Sequence, residues 1–301
     1  MQDKLAEKIS TLKKLKNAVI LAHNYQLPEV QDVADFVGDS LGLSIEASKT
    51  DAQTIVFCGV NFMAETAKIL NPQKRVLMPE PKAGCPMAGM INANQLETLK
   101  LSHPKARVVC YINSTAEVKA LSDICCTSSN AVAVVKSLGA DEVIFVPDQY
   151  LGNWVEKYLD KKLILWNGYC NIHNKILPEH VERKKKEHPK ALIMAHPECT
   201  PGVIALADKV ASTSGMVKFP ATTENIEFIV CTETGILHQL KKLYPDKSFF
   251  PAYDDALCPN MKLTTLEKVL WALEDEKEGI LVDKEIANKA LRSIDAMLRM
   301  A

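Results

Sequence analysis

Short apolar runs recur along the chain at nearly even intervals, separated by amphipathic stretches. The five-residue runs at 18–22, 107–111 and 191–195 are almost wholly apolar, and so are those at 54–58, 142–146 and 227–231. Runs of this length without polar alternation predict parallel strands covered on both faces. Between them the period changes to that of a helix. Helices are expected over 5–15, 95–102 and 178–187, then in the region 30–36 and over 115–121 and 202–207, then over 62–70, 151–159 and 235–243. A short strand is expected after each second helix, and a fourth strand before residues 85, 170 and 258. From residue 262 onward two helices are expected, 264–274 and 284–299, covering the first set of elements. Strand alternating with helix at this spacing predicts an α/β fold of βαβ units with parallel sheets.

The pattern is a diverged threefold repeat. His23, Tyr111 and His196 stand 88 and then 85 residues apart; Asp35, Asp123 and Asp208 keep the same steps, as do Ser40, Ser128 and Thr213. His-Pro-Lys-Ala occurs at both 103–106 and 188–191. The expected organisation is therefore three α/β repeats, 1–84, 85–169 and 170–261, with C-terminal helices in 262–301. Every landmark falls at the C-terminal end of a strand, where open α/β sheets place ligands. A pseudo-threefold arrangement would bring the three sets of loops to one central site.

Composition narrows the functional classes. Of 301 residues, 47% are hydrophobic and 24% charged, enough to bury a large core. The formal net charge of −1 provides no field to attract nucleic acid or an anionic membrane. The basic run 183–186 lies between Glu182 and Glu187 and reads as a solvated helix face. No apolar run reaches the ~18 residues of a membrane span, and the charged amphipathic start is not that of a signal peptide. A cytoplasmic location is expected, where thiols stay reduced and nine irregularly spaced cysteines do not form a disulfide framework.

Three of those cysteines differ from the rest. Cys85, Cys170 and Cys258 each follow an apolar run and sit among Gly, Pro or Asn, in turn-like surroundings. Cys58, Cys110, Cys231 and the pair Cys125-Cys126 lie within or beside apolar strands and read as small buried hydrophobes. Three loop thiolates suit a Zn2+ ion with an open position or a [4Fe–4S] cluster with one free iron; soft ligands allow either. Ligands so distant in sequence favour the bulkier cluster. Near them, His23, Tyr25, His173, His196 and Glu198 are candidates for proton transfer or ligand binding. Ser40, Ser128 and Thr213 combine helix-capping chemistry with anion binding. Cys199 is expected near the mouth of the site, without a role.

The stretches Ala22-His23-Asn24-Tyr25-Gln26, Val37-Gly38-Asp39-Ser40, Tyr111-Ile112-Asn113-Ser114-Thr115, Thr127-Ser128-Ser129-Asn130-Ala131 and His196-Pro197-Glu198-Cys199 resemble the quinolinate synthase family. So does Gly59-Val60-Asn61-Phe62-Met63-Ala64-Glu65, and the likeness covers essentially the whole chain. The resemblance implies three similar α/β domains and a condensation of iminoaspartate with dihydroxyacetone phosphate to quinolinate, in NAD biosynthesis. It implies a [4Fe–4S] cluster on Cys85, Cys170 and Cys258. It further implies a substrate pocket of His23, Ser40, Tyr111, Asn113, Ser128, His196, Glu198 and Thr213, with Tyr25, Glu198, His173 and His23 as catalytic groups. An aspartate-oxidising enzyme would supply the imine. Some relatives carry a C-terminal Cys-x-x-Cys; this chain has no cysteine after Cys258, so thiol switching of that kind is not expected. A diphthamide-synthesis type enzyme also gathers three cysteines, but the His-Asn-Tyr, Gly-Asp-Ser and His-Pro-Glu motifs speak against it. An iron–sulfur sensor gives no reason for hydroxyls and imidazoles at equivalent strand ends.

Overall fold

A computed structural model describes residues 2–275 and 279–300. Its frame is three four-stranded parallel sheets. The first holds β1 (Ala18–His23), β2 (Phe36–Gly38), β3 (Thr54–Cys58) and β4 (Arg75–Leu77). The second holds β5 (Arg107–Tyr111), β6 (Ile124–Cys126), β7 (Val143–Val146) and β8 (Ile164–Leu165). The third holds β9 (Leu192–Ala195), β10 (Lys209–Val210), β11 (Glu227–Cys231) and β12 (Ser248–Pro251). All three have the same spatial order, second–first–third–fourth, so the predicted α/β repeat is present in space. The central strands β3, β7 and the C-terminal part of β11 are buried throughout, which explains their unbroken apolar runs.

The repeated aspartate has a structural task. Asp35, Asp123 and Asp208 each accept the backbone N–H of the residue fifteen positions earlier: Ile20 at 2.8 Å, Val108 at 2.6 Å and Ile193 at 2.8 Å. In each repeat the aspartate's own N–H returns to the carbonyl of that residue. The carboxylate thus ties the start of the second strand to the first and satisfies an amide the ladder leaves unpaired. The shared His-Pro-Lys-Ala is a helix end. His103 and His188 close the helices Ala93–Ser102 and Pro178–Glu187 with nearly the same backbone angles, and the alanine N–H bonds back to the histidine carbonyl.

Two expectations are adjusted. The helix expected in the region 30–36 is Pro28–Val33, because Phe36, Val37 and Gly38 pair with Leu21, Ala22 and His23 instead. The two C-terminal helices do not share one partner. Leu266–Glu274 packs through Leu266, Val269 and Leu273 on Ile9 and Ile20 of the first repeat. Lys284–Leu298 lies mainly on the second repeat, where Ser293 donates to the Lys119 carbonyl at 2.8 Å. Small Ala290 and Ser293 let that helix approach closely, and Ile294 and Met297 join a core that spans the first two repeats. The third repeat keeps separate cores on the two faces of its sheet.

Candidate active site

Loops at the C-terminal strand ends of all three sheets line one cavity of about 200 Å³. All thirteen site residues named from the sequence lie on its wall. His23 and Tyr111 are the last residues of β1 and β5; His196 follows β9 directly. Ser40 and Thr213 open the helices Ser40–Lys49 and Thr213–Lys218, and Ser128 and Asn113 sit in the loops after β6 and β5. The three repeats also touch beside the cavity. Asp39 caps Ser40–Lys49 through the Gly42 N–H (2.9 Å), and Ser129 donates to Asp39 at 2.8 Å. The Ser129 and Ser212 hydroxyls lie 2.8 Å apart.

His23 and His196 have matching environments. The N–H two residues on, of Tyr25 and Glu198 respectively, donates to Nδ1 at 3.1 and 3.3 Å. Nδ1 is therefore an acceptor and Nε2 carries the proton. Burial lowers the pKa of His23 to about 4 and of His196 to about 3, with nearby carboxylates opposing part of the change. Both rings are neutral N–H donors at physiological pH, and His196 Nε2 lies 3.2 Å from Ser128 Oγ.

The other wall carries a row of polar groups in close contact. Tyr25 Oη is 2.6 Å from Thr232 Oγ1, which is 2.8 Å from His173 Nε2. His173 Nδ1 lies 2.7 Å from Glu198 Oε2, and Tyr111 donates to Glu198 Oε1 at 2.5 Å. Burial raises the Glu198 pKa, but His173, then His196 and the Tyr111 hydroxyl, hold it below the usual carboxylate range. Burial and then Glu198 push both phenols well up. Two protonated phenols thus flank one ionised carboxylate, joined by an imidazole and a hydroxyl, an arrangement able to move protons. Asn113 Oδ1 is buried without a partner, as suits a group that binds a ligand.

Among the nine cysteines, Cys85, Cys170 and Cys258 are the ones only partly buried, and they share this cavity. Cys258 raises Cys85 electrostatically, and Cys85 raises Cys170. Burial is the main cause that lifts all three thiols, Cys85 to about 12. They would become thiolates only on meeting a cationic group, and three soft donors, one from the loop after each sheet's last strand, suit an iron–sulfur cluster at one cavity. The Cys170 sulfur, a His173 nitrogen and a Glu198 oxygen also lie within 4.8 Å of one another. Cys199 is not at the mouth. It is buried, and its thiol donates to the Cys231 carbonyl at 3.3 Å.

Known proteins bear on this arrangement. The family model described as "Quinolinate synthetase A protein" matches residues 7–299. This chain belongs to that family. It is 55% identical over 296 residues to a quinolinate synthase of Dehalococcoides mccartyi (strain CBDB1), covering 98% of each chain. It is 52% identical to one of Thermodesulfovibrio yellowstonii, over 100% of this chain and 99% of the relative. To one of Methanosarcina barkeri it is 52% identical over 99% and 98%. With the family established, four residues to which the sequence assigned no role stand at or beside the site. Thr232 bridges Tyr25 and His173; Asp39 and Glu233 line the cavity; Lys262 pairs with Glu233 at 2.9 Å. Register within the repeat is the signal that would have found Glu233, which stands two residues past β11 as Asp148 does past β7. Among the described residues, no helix is long and apolar enough to cross a membrane.

Proposed function

We propose that this chain is a quinolinate synthase, acting in the cytoplasm in NAD biosynthesis. It condenses iminoaspartate with dihydroxyacetone phosphate and releases phosphate and two waters. That stoichiometry leaves no electrons over, so the cluster has no redox task. The observation that carries the reading is the meeting, in one buried cavity, of three cysteines, each from the loop after the last strand of one sheet, with the Tyr25–Thr232–His173–Glu198–Tyr111 chain.

Cys85, Cys170 and Cys258 would hold a [4Fe–4S] cluster, which when bound supplies a Lewis-acidic iron towards the cavity. The substrates are anions, yet Lys175 is the one Lys or Arg on the described cavity wall. Carboxylates and phosphate are therefore bound by neutral donors: Nε2–H of His23 and His196, the hydroxyls of Ser40, Ser128 and Thr213, and the Asn113 amide. Glu198 takes protons from carbon or nitrogen, and the buried phenols of Tyr25 and Tyr111 deliver them to leaving oxygen. Thr232 and His173 connect the two ends, so a proton removed at Glu198 can be replaced at Tyr25. Burial keeps water from the reactive imine. An aspartate-oxidising enzyme would be its source.

Anaerobic assay with both substrates, alongside iron and sulfide analysis, tests this reading. Quinolinate formed by protein holding about four irons and four sulfides is the expected result; fully active, iron-free protein would end it. The close Cys170, His173 and Glu198 donors favour a second reading, a single metal ion on those three. It leaves Cys85 and Cys258 without a task and breaks the His173–Glu198 contact, and iron without sulfide would be its mark.

A further inference from the structure

One buried carboxylate at this site has no part in the chemistry above. Glu233, fully buried, follows Thr232 in the turn after β11. Its Oε2 accepts the Gly235 N–H at 2.7 Å and its Oε1 accepts the Cys258 N–H at 3.0 Å. Lys262 Nζ lies 2.9 Å from Oε1, and the same ammonium donates to the Tyr25 carbonyl at 2.5 Å. The junction is tight: a Cβ at Gly235 would fall 2.8 Å from both the Glu233 carboxylate and Lys262 Nζ, and 2.9 Å from the Tyr25 backbone. The loop of Tyr25, the strand end of Thr232 and the loop of Cys258 therefore converge on one ion pair.

A buried ion pair is seldom the most stable filling for its volume, and its best-attested use is to impose one geometry. The other repeats lack this device. At the equivalent position the first has Val60, and the second has Asp148, whose carboxylate caps the helix Gln149–Glu156 through the Leu151 N–H at 2.8 Å. Asp148 also bonds the Cys170 amide, but only the third repeat supplies Thr232, the link between Tyr25 and His173, and among the described residues only there is the carboxylate that bonds a loop-cysteine amide paired with a lysine.

We propose that Glu233 and Lys262 are positioning residues that hold the Cys258 loop in register with Tyr25 and Thr232. The group on the cysteines and the proton-moving chain then face the same substrate atoms. This rests on the cluster reading given under Proposed function. Displacements of about 1 Å are enough to cost on the order of 100-fold in rate, so a rigid link between the two halves of the site has a direct catalytic use.

The test uses the anaerobically reconstituted, full-length enzyme and three variants: Glu233→Gln, Lys262→Met and Lys262→Arg. Measured are kcat, KM, iron and sulfide per chain, and the rate at which a ferrous chelator removes iron. Loss of such an outer contact costs about 10–100-fold in metal retention or activity. Glu233→Gln and Lys262→Met should therefore lose kcat by about that factor, with KM changed less than about threefold, and should release iron about tenfold faster. Lys262→Arg keeps the charge and should recover most of both. If Glu233→Gln does not fold, Lys262→Met carries the test, because its apolar stem still packs. Variants that match the wild type in kcat and iron release overturn the positioning role, as does an equal loss in Lys262→Arg and Lys262→Met. A wild-type enzyme that takes up no iron and sulfide would instead remove the cluster reading, and this inference with it.

Discussion

Glu198 is the residue on which the proposed chemistry turns, because it touches His173 and Tyr111 and sits behind His196. General-base catalysis is worth about 10²–10⁴-fold. Glu198→Gln is nearly isosteric and should lose kcat by that range while iron and sulfide stay at wild-type levels; turnover unchanged in the Gln variant would remove Glu198 as the base. The histidines make a second prediction, about pH. In the unfolded chain His23 and His196 protonate near their ordinary value of 6.5, but in the fold only at about 4 and about 3. Below pH 6.5 the unfolded chain binds more protons, so stability is lost as the pH falls towards 4. Glu198 acts in the same direction: its pKa is lowered from 4.5, so its contribution is present above that value and lost in acid. At pH 5 each histidine should cost on the order of 2 kcal/mol. Thermal unfolding at pH 7 and pH 5 should show a clear drop in midpoint, smaller in His23→Asn. An equal drop in that variant would show that His23 does not titrate as its burial dictates.

At the scale of the element, the strand-locking aspartates separate stability from catalysis. Asp123 bonds the Val108 N–H at 2.6 Å and pairs with Arg107 at 3.2 Å, remote from the residues that line the cavity. Asp123→Ala leaves a strand amide unsatisfied, which costs about 1–3 kcal/mol. Urea unfolding should register that loss, while the kcat of the folded fraction stays at the wild-type level. The elements themselves were legible wherever period and length agreed. The runs at 18–22, 54–58 and 107–111 are strands, and the helices expected at 95–102 and 178–187 are Ala93–Ser102 and Pro178–Glu187. The misplaced part lies at 34–36, where helical period and strand composition overlap and pairing with β1 decides. The short helix Asn171–Asn174, which carries His173, is too brief for any periodic signal.

For the whole molecule, the consequence of the proposed cluster is an all-or-none dependence on three distant thiols. Any one of Cys85→Ala, Cys170→Ala or Cys258→Ala should lose the cluster and turnover together, since the loop after the last strand of each sheet contributes a single ligand. Cys199→Ala should keep both, because that thiol is buried against Cys231 and lies outside the cavity wall. Absorbance spectra, iron analysis and quinolinate assay on the four proteins check this, and a colourless, inactive Cys199→Ala protein that remains folded would contradict it.

Local chemistry determined much of this protein in advance. Apolar runs, turn residues and the threefold spacing of His, Asp and Ser are written in neighbouring positions, so the repeats and the strand ends could be read from the chain alone, and the thirteen residues that spacing and family resemblance singled out all lie on the cavity wall. Tertiary structure alone decided which of those groups touch. Thr232 meets Tyr25 across 207 residues, Lys262 meets the Tyr25 carbonyl across 237, and Ser293 meets Lys119 across 174. Such contacts leave no periodic trace, because they depend on how the repeats pack against one another and not on the pattern within any one of them.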